Sequence, residues 1–272
     1  MSQIKDKIRV LQASTKIDGR YRTIFERNYP ANPDYANLHY HNADHVRAVL
    51  NLFEVLRKLS GKGFEKIKLE ATYLAAVFHD IDHSGHPDTH FDDVTGNNIG
   101  RAIANFTAWA VANKNMENPD DYRQVADAIT LIKSTEYPLT APEIKDPELR
   151  ELSNMLRDAD MLWGTTPGQA ANCMIGMWME RKAAGLEEGK LDIEKVLPAQ
   201  LNFIRNYQPL SAAGRTYKNA VFEEASTAWA LAALQYERQL MAAQVVRELS
   251  DAEVLQVAQG IKSAVKEATA AP

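Results

Sequence analysis

Apolar residues recur every three or four positions along most of this chain, and alternating Val/Ile/Thr runs closed by Asn-Gly or Asp-Gly turns are missing. That period belongs to amphipathic helices and predicts an all-α fold. The pattern places helices over 44–59, 64–78, 98–113, 120–133, 147–157, 169–184, 193–206, 213–249 and 251–268. Ser250 and Glu253 would open the last of these as a capping box. Breaks at 28–34, 60–63, 84–88, 118–120, 137–147 and 164–168 are rich in Gly, Pro, Asn and Asp, and none is long enough for a domain linker. With no fixed-period repeat, residues 1–272 read as one compact multi-helix bundle.

Composition leaves that picture in place and narrows the partners. At 272 residues, 45% hydrophobic and 25% charged, the chain can bury a full core without disulfides or structural metals. A net charge of -5 and the lack of any dense Lys/Arg cluster argue against a nucleic-acid polymer as partner. No run of about 18 apolar residues is present, and residues 1–15 carry no signal-peptide core, so a cytoplasmic protein without membrane contact is expected. The single cysteine, Cys173, lies in the apolar run Cys173–Trp178 and reads as a buried small hydrophobe.

The chemistry is concentrated in one place. All seven histidines (His39, His41, His45, His79, His83, His86 and His90) fall between positions 39 and 90. His41 and His45, four apart, share one face of a helix start. The run Leu74–Phe78 leads straight into His79-Asp80-Ile81-Asp82-His83, where burying so many ionisable groups is costly unless they are paired or hold a metal. One of Asp158 and Asp160, also set against apolar neighbours, would complete such a site. Residue types alone leave His41 open between a functional and a helix-capping role. They leave Asp158 open between a partner of a ligand histidine and a surface acid.

The order His, His-Asp, Asp is that of the HD superfamily of metal-dependent phosphohydrolases. Tyr40-His41-Asn42-Ala43-Asp44-His45 resembles the YHNxxH motif of the class I cyclic-nucleotide phosphodiesterases, and His79 to Gly85 resembles their HDxDHPG motif. Ala159-Asp160-Met161 is similar to their AD-L segment, and Gln200-Leu201-Asn202-Phe203-Ile204 with Pro209-Leu210 is similar to their QxxFI…PL segment. The matches keep the family's order across a core of about residues 40–210.

The resemblance implies a bundle of the HD/phosphodiesterase type. It implies that His45, His79, Asp80 and Asp160 hold a first divalent cation (Zn, Mn or Fe). Asp80 would also reach a second (Mg or Mn) that is otherwise held by water. A hydroxide between the two cations would attack a small phosphodiester, for which a 3′,5′-cyclic purine nucleotide is the candidate. His41 would be the general acid, His83 would sit beside the second cation's waters, Gln200 would read the base edge and Phe203 would stack on it. The absence of histidine after His90 favours a water-rich second site.

Departures from the family pattern are concentrated around the substrate. Leu162-Trp163-Gly164-Thr165 replaces its Ser-Asn-Pro stretch, and Thr135-Glu136-Tyr137 replaces its Thr-Asp-Met segment. Asn97 and Asn98 stand where a glutamate orienting the acid histidine is expected. An HD-type phosphomonoesterase or nucleotidase is therefore a second expectation, a di-iron oxygenase a third, and a binding protein with an inactive pocket a fourth. The long 213–249 segment would serve as a core helix pair or as the face of a homodimer.

Overall fold

The computed structural model describes residues 2–28, 38–84, 97–136, 143–166, 169–186, 193–222, 224–225 and 227. Among these the protein is all-helical, with no strand. The elements are α1 (Ser2–Ser14), α2 (Gly19–Asn28), α3 (Ala43–Ser60), α4 (Lys66–Phe78), α5 (Asn98–Asn113), α6 (Pro119–Ser134), α7 (Pro147–Leu162), a 3-10 turn (Trp163–Thr165), α8 (Ala170–Ala183) and α9 (Ile193–Asn206). A further helical stretch, α10, covers 212–222.

The hydrophobic period decides which helix goes inside. α4 is buried nearly all round, through Ala71, Leu74, Ala75, Ala76, Val77 and Phe78, and packs mainly on α6. α3 buries Val46, Val49, Leu50, Leu52, Phe53 and Leu56 and packs mainly on α7. The last turns of α4, Leu74 to Phe78, are apolar and buried on every side, so the histidine and aspartate that follow are delivered to the interior.

Local signals set the ends of these helices. Asn42 caps α3, its side-chain oxygen accepting the backbone N–H groups of Asp44 at 2.9 Å and His45 at 3.2 Å. Gly61, at φ +67°, closes the same helix in the left-handed conformation that suits glycine. Asp146 caps α7 ahead of Pro147, accepting from Glu148 N at 2.9 Å and Leu149 N at 3.0 Å.

The structure departs from the sequence pattern in two places. α1 and α2 form where the polar N-terminal region predicts no helix, anchored by the buried Ile8, Tyr21 and Phe25. α7 runs on to Leu162, so Asp158 and Asp160 are helical rather than beyond a helix end. The expected 213–249 helix is described only as far as α10. The rest of it, the 251–268 helix, the Ser250/Glu253 box, His86 and His90 lie outside the described residues. No helix among the described residues is long and apolar enough to cross a membrane.

Candidate metal centre and adjoining cavity

Three helices bring four ligand atoms together. His45 comes from the first turn of α3, His79 and Asp80 follow the C-terminus of α4, and Asp160 projects from the last turn of α7. His45 Nε2 lies 2.8 Å from Asp80 Oδ2 and 3.2 Å from Asp160 Oδ1; His79 Nε2 lies 3.2 Å and 3.5 Å from the same two oxygens. The two imidazole nitrogens are 3.3 Å apart. Both histidines are buried.

The turn after α4 holds this arrangement. Asp82 takes a positive φ of 64°, a conformation that aspartate tolerates better than most residues, and pairs with Arg101 of α5 at 2.8 Å. Asn98, also from α5, accepts from Ser84 N at 2.9 Å and Ser84 Oγ at 2.8 Å. Asn97 caps α5 through Gly100 N. Asn98 therefore braces the loop, while Asn97 serves the start of α5.

The donor set fits a divalent cation. His79 Nδ1 lies 3.0 Å from the Ala76 carbonyl, to which it can only donate, so Nε2 is the nitrogen turned to the centre and the one whose proton a cation would replace. A tetrahedral ion at about 2.0–2.1 Å from each ligand needs ligand atoms roughly 3.3 Å apart, close to the spacings found. Asp80 Oδ2 is buried between the two imidazoles, and among the described residues His45 Nδ1 has no hydrogen-bond partner. Burial alone would raise the Asp160 carboxyl, but His45 and His79 hold it down at about 2. Likewise burial would depress His79, and Asp80 and Asp160 drive it well above the ordinary histidine value. The centre is thus strongly drawn to positive charge.

Beside this centre stands a second group, His41, His83 and Glu180. Glu180 Oε2 accepts the backbone N–H groups of Tyr40 and His41, each at 3.0 Å, while Oε1 meets His41 Nδ1. Burial works to depress His41, yet the Glu180 carboxylate outweighs it and raises the imidazole to about 9. The His83 ring stacks on His41 with centroids 3.5 Å apart, and burial and that cationic neighbour push it down to about 3. Glu180 itself, though buried, is held down at about 2 by His41.

Glu180 is thus the carboxylate that meets the His41 ring. Its only signal in the sequence is an acid closing the apolar run Cys173–Met179, the same signal that marks Asp158 and Asp160. Gly176, one turn earlier on α8, lets the helix approach: a Cβ there would overlap the His39 carbonyl oxygen. His39 thus contributes its backbone to the packing of α8.

A cavity of about 430 Å³ opens beside both groups. Its walls include His41, Asp80, His83 and Asp160, and on the α9 side Gln200 and Phe203, so all of the expected substrate contacts face one space. Gln200 Nε2 rests 2.9 Å from Met177 Sδ. Cys173 is buried at the cavity wall with its thiol pushed up to about 12, which keeps it protonated and inert.

Asp158 belongs to neither ligand group, nor is it a surface acid. It is fully buried and accepts from Tyr207 Oη, Leu210 N and Ser211 N, each at 2.8 Å, and from Ser211 Oγ at 2.6 Å. Burial raises its pKa and these four donors pull it back. It thereby ties the corner after α9 to α7, and Gly214 leaves it room. Trp163 donates its indole N–H to Tyr40 Oη at 3.0 Å and sets its ring edge-on to His45, centroids 4.9 Å apart.

Comparison with protein-family models, with curated proteins and with solved structures finds no match to this chain.

Proposed function

We propose that this chain is a metal-dependent phosphoester hydrolase of the HD type, acting on a small phosphodiester for which a 3′,5′-cyclic purine nucleotide is the candidate. The observation that carries this reading is the shared opening: a four-ligand centre and a carboxylate-held histidine line the same 430 Å³ cavity. Proton donor and electrophilic centre therefore face one bound group.

His45, His79, Asp80 and Asp160 would hold a first cation, and two imidazoles with two carboxylates suit Zn, Mn or Fe. The other carboxylate oxygen of Asp80 is available to a second ion such as Mg or Mn. When bound, such cations supply Lewis acidity toward phosphate oxygens and a nucleophile at neutral pH.

The chain's own residues do the rest. His41, kept protonated by Glu180 through neutral pH, delivers its proton to the leaving oxygen as the phosphorus–oxygen bond breaks. Glu180 fixes the ring and balances its charge, acting as a positioning residue. Gln200 would offer its amide to a base edge, and Phe203, three residues on along α9, its ring to the base face.

The test is phosphorus NMR of the metal-reconstituted protein, incubated separately with a 3′,5′-cyclic purine nucleotide and with a nucleoside monophosphate, alongside Asp80→Ala. Conversion of the cyclic compound to a monoester, lost in the variant, is the expected outcome. Survival of the cyclic compound with release of orthophosphate from the monophosphate would replace this reading with the phosphomonoesterase one. Inertness toward both would overturn hydrolysis of either kind.

A further inference from the structure

We propose that His41, His83 and Glu180 form a cation site of their own, a two-imidazole, one-carboxylate site for Zn²⁺ that is separate from the four-ligand centre. The site itself stands on geometry; its consequence for catalysis rests on the hydrolase reading above.

The three residues each offer a ligand atom within 4.8 Å of the others. The two histidines approach the carboxylate from the same side: His41 Nδ1 and His83 Nδ1 both face Glu180 Oε1, the latter at 3.7 Å. The carboxylate is preset for this. Its Oε2 is committed to two backbone N–H groups, which leaves Oε1 aimed at the imidazoles from a buried and fixed position. An outer set of hydrogen bonds that orients a ligand before the ion arrives is characteristic of built metal sites.

Size and chemistry select the ion. A tetrahedral cation requires its ligands roughly 3.3 Å apart, so His41 has to back away from Oε1 by about 1 Å and His83 to close slightly. The two imidazoles, now stacked 3.5 Å apart, also have to open that stack so that both ring planes meet the ion. Two imidazoles and one carboxylate are a borderline donor set that favours Zn²⁺ over Mg²⁺, which prefers oxygen ligands. His41 and His83 both line the cavity, so the remaining coordination position opens toward a ligand or water.

A cation here takes the place of the proton that His41 shares with Glu180. A coordinated imidazole cannot gain the second proton that makes it an acid, so the same three residues either activate His41 or silence it. Zinc at this site is then an inhibitor, acting on the acid rather than on the electrophilic centre.

The experiment counts zinc. Metal-stripped full-length protein is dialysed against Zn²⁺, and bound zinc is measured for the wild type, His83→Ala and His45→Ala. His83→Ala is expected to hold one equivalent fewer than wild type while keeping the tight one, which also reports that it is folded. His45→Ala is expected to lose the tight equivalent and keep the other. Co²⁺ loaded into His45→Ala should show the visible absorption of a tetrahedral site, and lose it on adding His83→Ala or Glu180→Gln. A wild-type zinc count in His83→Ala, or a colourless Co²⁺ form of His45→Ala, would overturn the proposal, whatever the protein hydrolyses. In activity, the wild-type rate should fall as the weaker equivalent fills, and the rate of His83→Ala, relative to its own maximum, should not.

Discussion

Glu180 grips His41 twice across 139 residues of sequence, its Oε2 accepting the His41 backbone N–H at 3.0 Å and its Oε1 meeting the ring at Nδ1. A histidine fixed in both backbone and ring has one orientation and one favoured protonation state. Burial works to depress the imidazole; the Glu180 carboxylate, with lesser help from Asp80 and Asp160, overcomes it and raises the pKa to about 9.

Glu180→Gln is therefore expected to move the alkaline limb of the pH–rate profile to lower pH. An acid must carry its proton to donate it, so the loss should be larger at pH 8 than at pH 6, roughly 10- to 100-fold at the upper value. Measuring kcat/KM from pH 5.5 to 9 checks this, and an unmoved alkaline limb would show that His41 is not the acid.

Cation binding should stabilise the fold, because the four ligands come from segments that are far apart in the unfolded chain. At a free Zn²⁺ concentration 100 times the dissociation constant the gain is about 2.7 kcal/mol. For a chain of this size that is roughly 5 °C or more in Tm. Chelation should remove the gain, and a His79→Ala/Asp160→Ala double variant should lose most of it in differential scanning fluorimetry.

Gly176→Ala tests the close approach of α8. Its added Cβ would meet the backbone of His39, which has no flexible end to move aside, so the helix has to shift. A cost of about 1–3 kcal/mol in urea denaturation is expected. The His41–Glu180 pair should loosen, while zinc taken up by His45, His79, Asp80 and Asp160, none of which lies on α8, should be retained.

Acid stability should depend on Asp146. The Lys68 ammonium, 2.7 Å away, holds its carboxyl below the ordinary 3.8 while it caps α7. A group whose folded pKa is depressed contributes stability that is complete above the unfolded pKa and is lost as pH falls through the folded one. The wild type should accordingly lose stability more steeply below pH 4 than Asp146→Ala. The variant itself should be about 1 kcal/mol less stable at pH 7 from loss of the cap. Urea midpoints between pH 2.5 and 7 separate the two effects.

The reach of the sequence has a physical boundary. α3 to α9 were legible because their apolar residues recur every three or four positions or run together between Gly, Pro, Asn and Asp breaks. α1 and α2 were not, since Ile8 is the sole fully buried apolar anchor of the first and Tyr21 and Phe25 serve the second. His45, His79 and Asp80 announce themselves as ionisable groups beside apolar runs. Between Asp158 and Asp160 the chain itself gives no choice without a family pattern. Once α7 is seen to run through both, the choice follows: residues two apart on a helix point about 160° away from each other, so only one can face the centre. The other turns to Ser211 and Tyr207. Glu180 was hidden because its partner is remote in sequence and its approach depends on the missing side chain of Gly176.

The ring of Trp163, edge-on to His45 and hydrogen-bonded to Tyr40, gives the protein an optical gauge of its own centre. An indole buried against His45 would sense a cation bound at that imidazole. Its emission should change in colour and intensity as the cation enters, in a protein to which no dye has been attached.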